Sequence, residues 1–255
     1  MVALVLLGPL FAPHSPSAFV GLPFAPPSGH VLLGTDFLGR DVLSRVLWGG
    51  RSILELSLAA AGLGLALGTA IGLIAAYSQG LLDSLLMRGM DVILAFPAIV
   101  FALLAVATVG PKLWLLVIAV GLSHTPRVAR LVRGASLDVV NRDFVYAVQA
   151  MGEPTRKILL GEILPNIAGP LLVETSLRIT FSISLVAALS FLGFGLQPPA
   201  ADWGLMINEN QTGLTIQPWA VVAPILCIAL LTIGTSLIAD GLARALAGID
   251  RAAES

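Results

Sequence analysis

Residues 143–166 read Asp-Phe-Val-Tyr-Ala-Val-Gln-Ala-Met-Gly-Glu-Pro-Thr-Arg-Lys-Ile-Leu-Leu-Gly-Glu-Ile-Leu-Pro-Asn, a polar island in an otherwise apolar chain. Phe144 to Met151 has the pattern of a short helix, and Gly152 can stop it at a tight corner by taking positive φ. A second short amphipathic helix is expected next, with Pro154 in its first turn and Glu153 near its positive end. Ile158, Leu159 and Ile163 recur at helical spacing before Leu164-Pro165-Asn166 breaks the run. A short helix built outside a bilayer points to a docking partner. The plainer alternative is an amphipathic helix lying at the membrane surface between two spans.

The rest of the chain supplies the membrane. Of 255 residues, 57% are hydrophobic and 11% charged, with a mean hydropathy of +0.94. Soluble domains carry about 25% charged residues, so an ordinary soluble globule is excluded. The apolar runs are continuous rather than alternating, which selects helices over a β-barrel. A net charge of −1 offers nothing to nucleic acid. The single cysteine, Cys227, excludes an intrachain disulfide and reads as a small packing residue. Phosphate-loop, His-Glu-x-x-His and Gly-x-Ser-x-Gly patterns are all missing from the sequence, so no catalytic, cofactor or metal residues are assigned. Asn210-Gln211-Thr212 fits a glycosylation sequon, a tripeptide that arises often by chance.

Apolar runs long enough to span occupy residues 54–77, 86–109, 113–132, 167–191 and 219–238. Residues 2–12 are also apolar but cover only about half of a ~30 Å core. They read as a first span whose beginning is missing or which is unusually short, giving six in all. Arg127, Arg130, Arg133, Arg142, Arg156 and Lys157 cluster on or beside the polar island, whereas residues 196–217 hold no Lys or Arg. The positive-inside rule therefore puts the island, both termini, Arg88, Arg244 and Arg251 in the cytoplasm. Arg40, Arg45 and Arg51 then fall outside, an exception to the rule.

Three segments carry a resemblance. Gly152 and Leu164-Pro165, with Ala147 upstream, match the spacing of the EAA loop of ABC importer permeases. Tyr146 stands at that pattern's Glu, Val148 at its second Ala and Glu162 at its common His. Gly34-Thr35-Asp36-Phe37-Leu38-Gly39-Arg40-Asp41-Val42-Leu43-Ser44-Arg45 is similar to the signature before the second span of the dipeptide/oligopeptide type. Leu189 to Pro199, followed by Trp203-Gly204, resembles that subfamily's fifth-span exit. In order, they identify the chain as similar to the C-type permease subunit of that class, which includes nickel and glutathione systems.

The resemblance implies an all-α polytopic bundle with a cytoplasmic coupling helix. It divides the chain into a partial first span (1–12), an extracytoplasmic segment (13–53), a permease domain (54–238) containing the coupling loop (143–166), and a cytoplasmic tail (239–255). It implies that Ala147, Ala150, Met151, Gly152, Glu153, Arg156, Lys157 and Glu162 couple to an ATPase. The implied partners are a second homologous permease, two cytoplasmic ABC ATPases that hold the ATP and magnesium, an extracytoplasmic substrate-binding protein and the bilayer of a bacterial or archaeal inner membrane. The chain itself would be non-catalytic and would pass dipeptides or oligopeptides, with nickel chelates or glutathione as alternatives. An ion-coupled secondary carrier is the competing class and a membrane-embedded enzyme the third.

Other features leave two readings open. Ala60, Gly64, Gly68, Gly72 and Ala76 form a small-residue stripe, for packing within the chain or against a partner permease. Arg127, Arg130 and Arg133 share one helical face, as headgroup anchors or ATPase contacts; His124 and Pro126 nearby suggest a kink. Glu174 and Arg178 lie four apart inside a span, as a self-satisfying pair or as part of a substrate path. Residues 197–218 read as a receiver for a binding protein or a folded cap, with Trp203 and Trp219 suited to a membrane interface.

Overall fold

In hydrocarbon a backbone must satisfy its own N–H and C=O groups, and these apolar runs do so as helices. A computed structural model describes residues 1–253, with side chains described through residue 245. The helices are α1 (Val2–Leu7), α2 (Val42–Ser78), α3 (Leu81–Leu94), α4 (Ala98–Val109), α5 (Leu113–Val140), α6 (Asp143–Ala150), α7 (Thr155–Lys157), α8 (Leu164–Asn166), α9 (Ala168–Phe191), α10 (Trp203–Asn210) and α11 (Trp219–Ala253). A 3₁₀ turn, Gly8–Phe11, follows α1, another, Gln211–Gly213, follows α10, and a π-turn, Ile158–Ile163, joins α7 to α8.

Among the described residues α2, α5, α9 and α11 are long and apolar enough to cross a membrane. The 86–109 run is not one straight span. It breaks at Ala95–Pro97 into α3 and α4, bent by 81°. Pro97 lacks an N–H and disfavours helical backbone at Phe96, which accounts for the break. Counting the bent pair as one span gives five among the described residues, and Val2–Phe11, where a short first span was expected, is a shorter apolar helix. Pro126 leaves α5 helical, with the hydroxyls of Ser123 and Thr125 donating to Val120 O (2.7 Å) and Gly121 O (3.0 Å). The expected tail at 239–255 continues α11 as far as Ala253; the side chain of Arg251 lies outside the described residues.

One compact unit holds Met1–Ala59, Ala102–Val117 and Thr180–Thr235. Here α2 begins at Val42, twelve residues before the apolar run, because its early charges are neutralised rather than solvated. Asp41 Oδ2 accepts from Ser44 N (3.1 Å) and Ser44 Oγ (2.5 Å) at the helix start. Asp36 Oδ2 accepts from Arg40 Nε at 2.6 Å, and Glu209 Oε2 accepts from Arg40 Nη2 (3.0 Å) and Arg45 Nη2 (2.9 Å). Arg40 and Arg45 are buried, so they are internal ions and not surface charges. Burial pushes the Glu209 carboxyl up from its ordinary pKa, against the pull of Arg45 and Arg40. Arg51 donates to Leu6 O (2.8 Å) and lies over the Trp48 ring.

The 197–218 connection folds into the same unit. Trp203 is not interfacial but fully buried, its indole N–H donating to Val46 O at 2.8 Å. A Cβ on Gly49 or Gly50 would come within 2.8 Å or 2.6 Å of that ring, so only glycine admits it. Asp202 caps α10 through Leu205 N (3.0 Å) and accepts from Ser52 Oγ (2.7 Å) and Ser190 Oγ. Asn210 is buried, accepting from Phe37 N (2.9 Å) and donating to Met206 O (2.7 Å), so the sequon is part of the fold. Trp219 is 43% exposed.

The second unit holds Ala60–Phe101, Ile118–Ile179 and the described chain from Ser236. Its α2 stripe lies on α5. A Cβ on Gly64 would meet Gly121 O at 2.7 Å, on Gly68 the Val128 Cβ at 2.5 Å, and on Gly72 the Ala129 O at 2.6 Å. Backbone approach this close needs glycine and gives dispersion its full contact. On α5, Arg133 binds Asp83 of α3 through two bonds of 2.6 Å and Arg130 pairs with Asp91. These two arginines therefore tie α5 to α3. Glu174 and Arg178, both buried, pair at 2.8 Å within α9.

Candidate functional site

The 143–166 segment is built by three local rules. First, α6 ends in a Schellman corner: Gly152 takes φ +78°, its N–H reaches Gln149 O (3.0 Å) and Glu153 N reaches Val148 O (3.4 Å). A Cβ on Gly152 would meet no other atom within 4 Å, so the corner is tight in dihedral angle and open in space. Second, Pro154 is the cap of α7, one position before the expected first turn. Third, the expected break falls at the end of Leu164-Pro165-Asn166, where Ile167 takes φ −108° and ψ 12° and separates α8 from α9. Pro165 sits in the first turn of α8, where its missing N–H is tolerated, directly after the π-turn Ile158–Ile163.

One face of the segment is anchored. Val145, Ile158, Ile163 and Ile167 join Leu73 of α2 and Val128, Val132, Val139 and Val140 of α5 in a single buried cluster. Gln149 Nε2 donates to Tyr77 Oη at 3.3 Å. The opposite face is open. Ala147, Ala150, Met151, Gly152, Arg156 and Lys157 are exposed, whereas Glu153 and Glu162 are half-buried. Lys157 Nζ donates to Glu153 Oε1 at 2.5 Å, four residues apart.

The open face also carries Phe144, Tyr146 and Leu160, which spacing alone did not single out. Their signal lies in the phase: they are apolar residues off the Val145/Ile158/Ile163 stripe. Met151, at the corner, is 75% exposed. The segment is thus a helix–corner–helix held rigidly from below and offering small, apolar and basic groups above. Such a surface suits docking to a protein and contains no nucleophile–base arrangement.

Residues 68–248 match the family described as binding-protein-dependent transport system inner membrane component. The chain is 40% identical over 220 residues to the glutathione transport system permease protein GsiD of Pectobacterium atrosepticum, covering 86% of this chain and 73% of that protein. It is 38% identical over 253 residues to the di/tripeptide transport system permease protein DppC of Pseudomonas aeruginosa, covering 96% and 84%. In fold it is similar to a chain of the inward-facing MetNI methionine ABC transporter, with a TM-score of 0.61 at 16% identity over 80% of this chain and 96% of that one. An ion-coupled carrier is set aside by this kinship. With its helical bundle and its 143–166 segment in place, the chain belongs to the binding-protein-dependent transport system inner membrane components, the permease subunits of ABC importers.

Proposed function

We infer that the open face of 143–166 is the surface through which an ATPase drives this permease. The observation that carries this reading is the pairing of a rigid anchored face with an exposed corner at Gly152. Ala147, Ala150, Met151 and Gly152 form the contact; Glu153, Arg156, Lys157 and Glu162 flank it. ATP and magnesium belong to two cytoplasmic ATPases, and this chain hydrolyses nothing. A second permease completes the path, and an extracytoplasmic binding protein delivers substrate to the 13–53 and 197–218 side. The 143–166 face and both termini are cytoplasmic. The internal pairing of Arg40 and Arg45 supports this orientation, since it leaves Arg51 as the exposed-side exception.

ATPase closure then moves 143–166 as a lever. Its anchoring to α5 and its near-continuity with α9 pass that motion to the spans. In the assembled complex, Gly152→Arg is expected to abolish transport while the subunits still co-purify. Wild-type transport with a normally docked ATPase in that variant would sink the assignment. For substrate, we favour short peptides, because the relatives are named for dipeptides, tripeptides and glutathione, all small peptide-bonded molecules. A mass spectrum of the ligand retained by the partner binding protein checks this, and a nickel chelate there would overturn it.

A further inference from the structure

Beside the docking face, the same unit holds two apolar grooves that meet at Ala70, Leu73 and Leu160. One, about 350 Å³, runs between Ala70, Leu73 and Ile74 of α2 and Thr155, Leu159 and Leu160, with Arg156 at its edge. The other, about 310 Å³, continues past Thr69 toward Leu164 and Leu171. A third concavity, about 390 Å³, brings Arg156 and Lys157 together around Leu160 and Pro154. Arg156 is exposed and makes no ion pair among the described residues, whereas Arg130, Arg133 and Lys157 each have a carboxylate.

We propose that these grooves hold an anionic phospholipid, its headgroup on Arg156 and Lys157 and an acyl chain along α2 past Leu160. One wall is the membrane-crossing α2 and both grooves are lined mostly by apolar side chains, so the occupant must be apolar for most of its length. The mouth carries the Arg156 guanidinium, without an ion pair among the described residues, beside Lys157, which Glu153 holds, so an anionic end suits it. An amphiphile with one charged end meets both demands; a water-soluble protein meets only the second. The site ties α2 to the docking segment at its outer edge. It rests on the reading of 143–166 as a cytoplasmic segment, which places the lipid in the inner leaflet.

The test uses the complete transporter in nanodiscs of equimolar phosphatidylglycerol and phosphatidylcholine, released into native mass spectrometry. Wild-type complex is expected to retain phosphatidylglycerol in preference to phosphatidylcholine, and excess inorganic phosphate is expected not to displace it. Arg156→Gln should lower the retained phosphatidylglycerol about fivefold, the effect of one interfacial cation. Ala70→Trp, which fills the groove from the α2 side, should remove the retained lipid. Equal retention of both lipids, unchanged retention in Arg156→Gln, or displacement by phosphate would overturn the proposal. So would disulfide cross-linking of Ala70→Cys to a cysteine in the partner permease, which would make the occupant a protein. Co-purification of the ATPases, read in the same spectra, reports on the permease reading separately.

Discussion

At the scale of single residues, two sites make opposite demands. Glu209 is a buried carboxylate bridging two buried guanidiniums. Glu209→Ala removes one of the two carboxylates that both guanidiniums share and leaves Asp36 alone to hold them, a change at the lower end of about 3–5 kcal/mol. We expect a clear drop in the melting temperature of the purified complex; an unchanged one would mean water reaches the cluster. Gly152 is constrained by its dihedral angle alone, with open space around it. Gly152→Ala should therefore cost about 1–2 kcal/mol locally, whereas Gly152→Asn, which tolerates the left-handed region, should cost less. ATPase activity stimulated by loaded binding protein should follow the order Gly, Asn, Ala. Equal activity for Asn and Ala would place the constraint elsewhere.

At the scale of elements, the α2–α5 contact and the α6 corner differ in how much they tolerate. Gly68→Leu must displace Val128 and the Thr125 carbonyl, 2.5 Å and 2.8 Å from its Cβ. Overpacking of this kind costs about 1–3 kcal/mol. On the same helix a Cβ at Gly62 meets nothing within 4 Å, so Gly62→Leu is expected to leave thermal stability unchanged. Similar melting temperatures for the two variants would show that the helices separate easily. The four-residue spacing of the stripe was legible because helix geometry alone puts such residues on one face. The neighbour it meets was not legible, since Val128 and Ala129 sit in no pattern that distinguishes α5 from any other span.

For the whole molecule, sidedness is the property that labelling can read. In a Cys227→Ala background, Ala150→Cys should react with a membrane-impermeant maleimide from the cytoplasmic side only, and Thr212→Cys from the opposite side only; both native side chains are exposed. Reaction of both from one side would overturn the topology. Long apolar runs announced the four straight spans by length, but length gave no sign of the 81° bend within 86–109. The start of α2 was hidden because Arg45 hydrogen-bonds a carboxylate 164 residues away. Trp203 misled for the same reason, its acceptor lying 157 residues upstream. Composition can report that a charge or an indole exists, but only the fold says whether water or protein satisfies it. The 143–166 segment was more legible because its corner and its anchoring stripe are local in sequence.

The π-turn at Ile158–Ile163 amounts to one surplus residue stored in an otherwise helical rod. Helices elsewhere in the chain cannot lose a residue without throwing every later side chain out of phase. Here a deletion, for instance of Gly161, can relax the wide turn to ordinary α-geometry and keep the rod continuous. The extra residue is held locally, so removing it closes the wide turn and leaves the flanking turns close to their original phase, without the rotation of about 100° that a deletion from regular α-helix imposes. The corner at Gly152 would then keep its facing while the wide turn itself is lost, so what the π-turn contributes can be read apart from register, which most deletions confound.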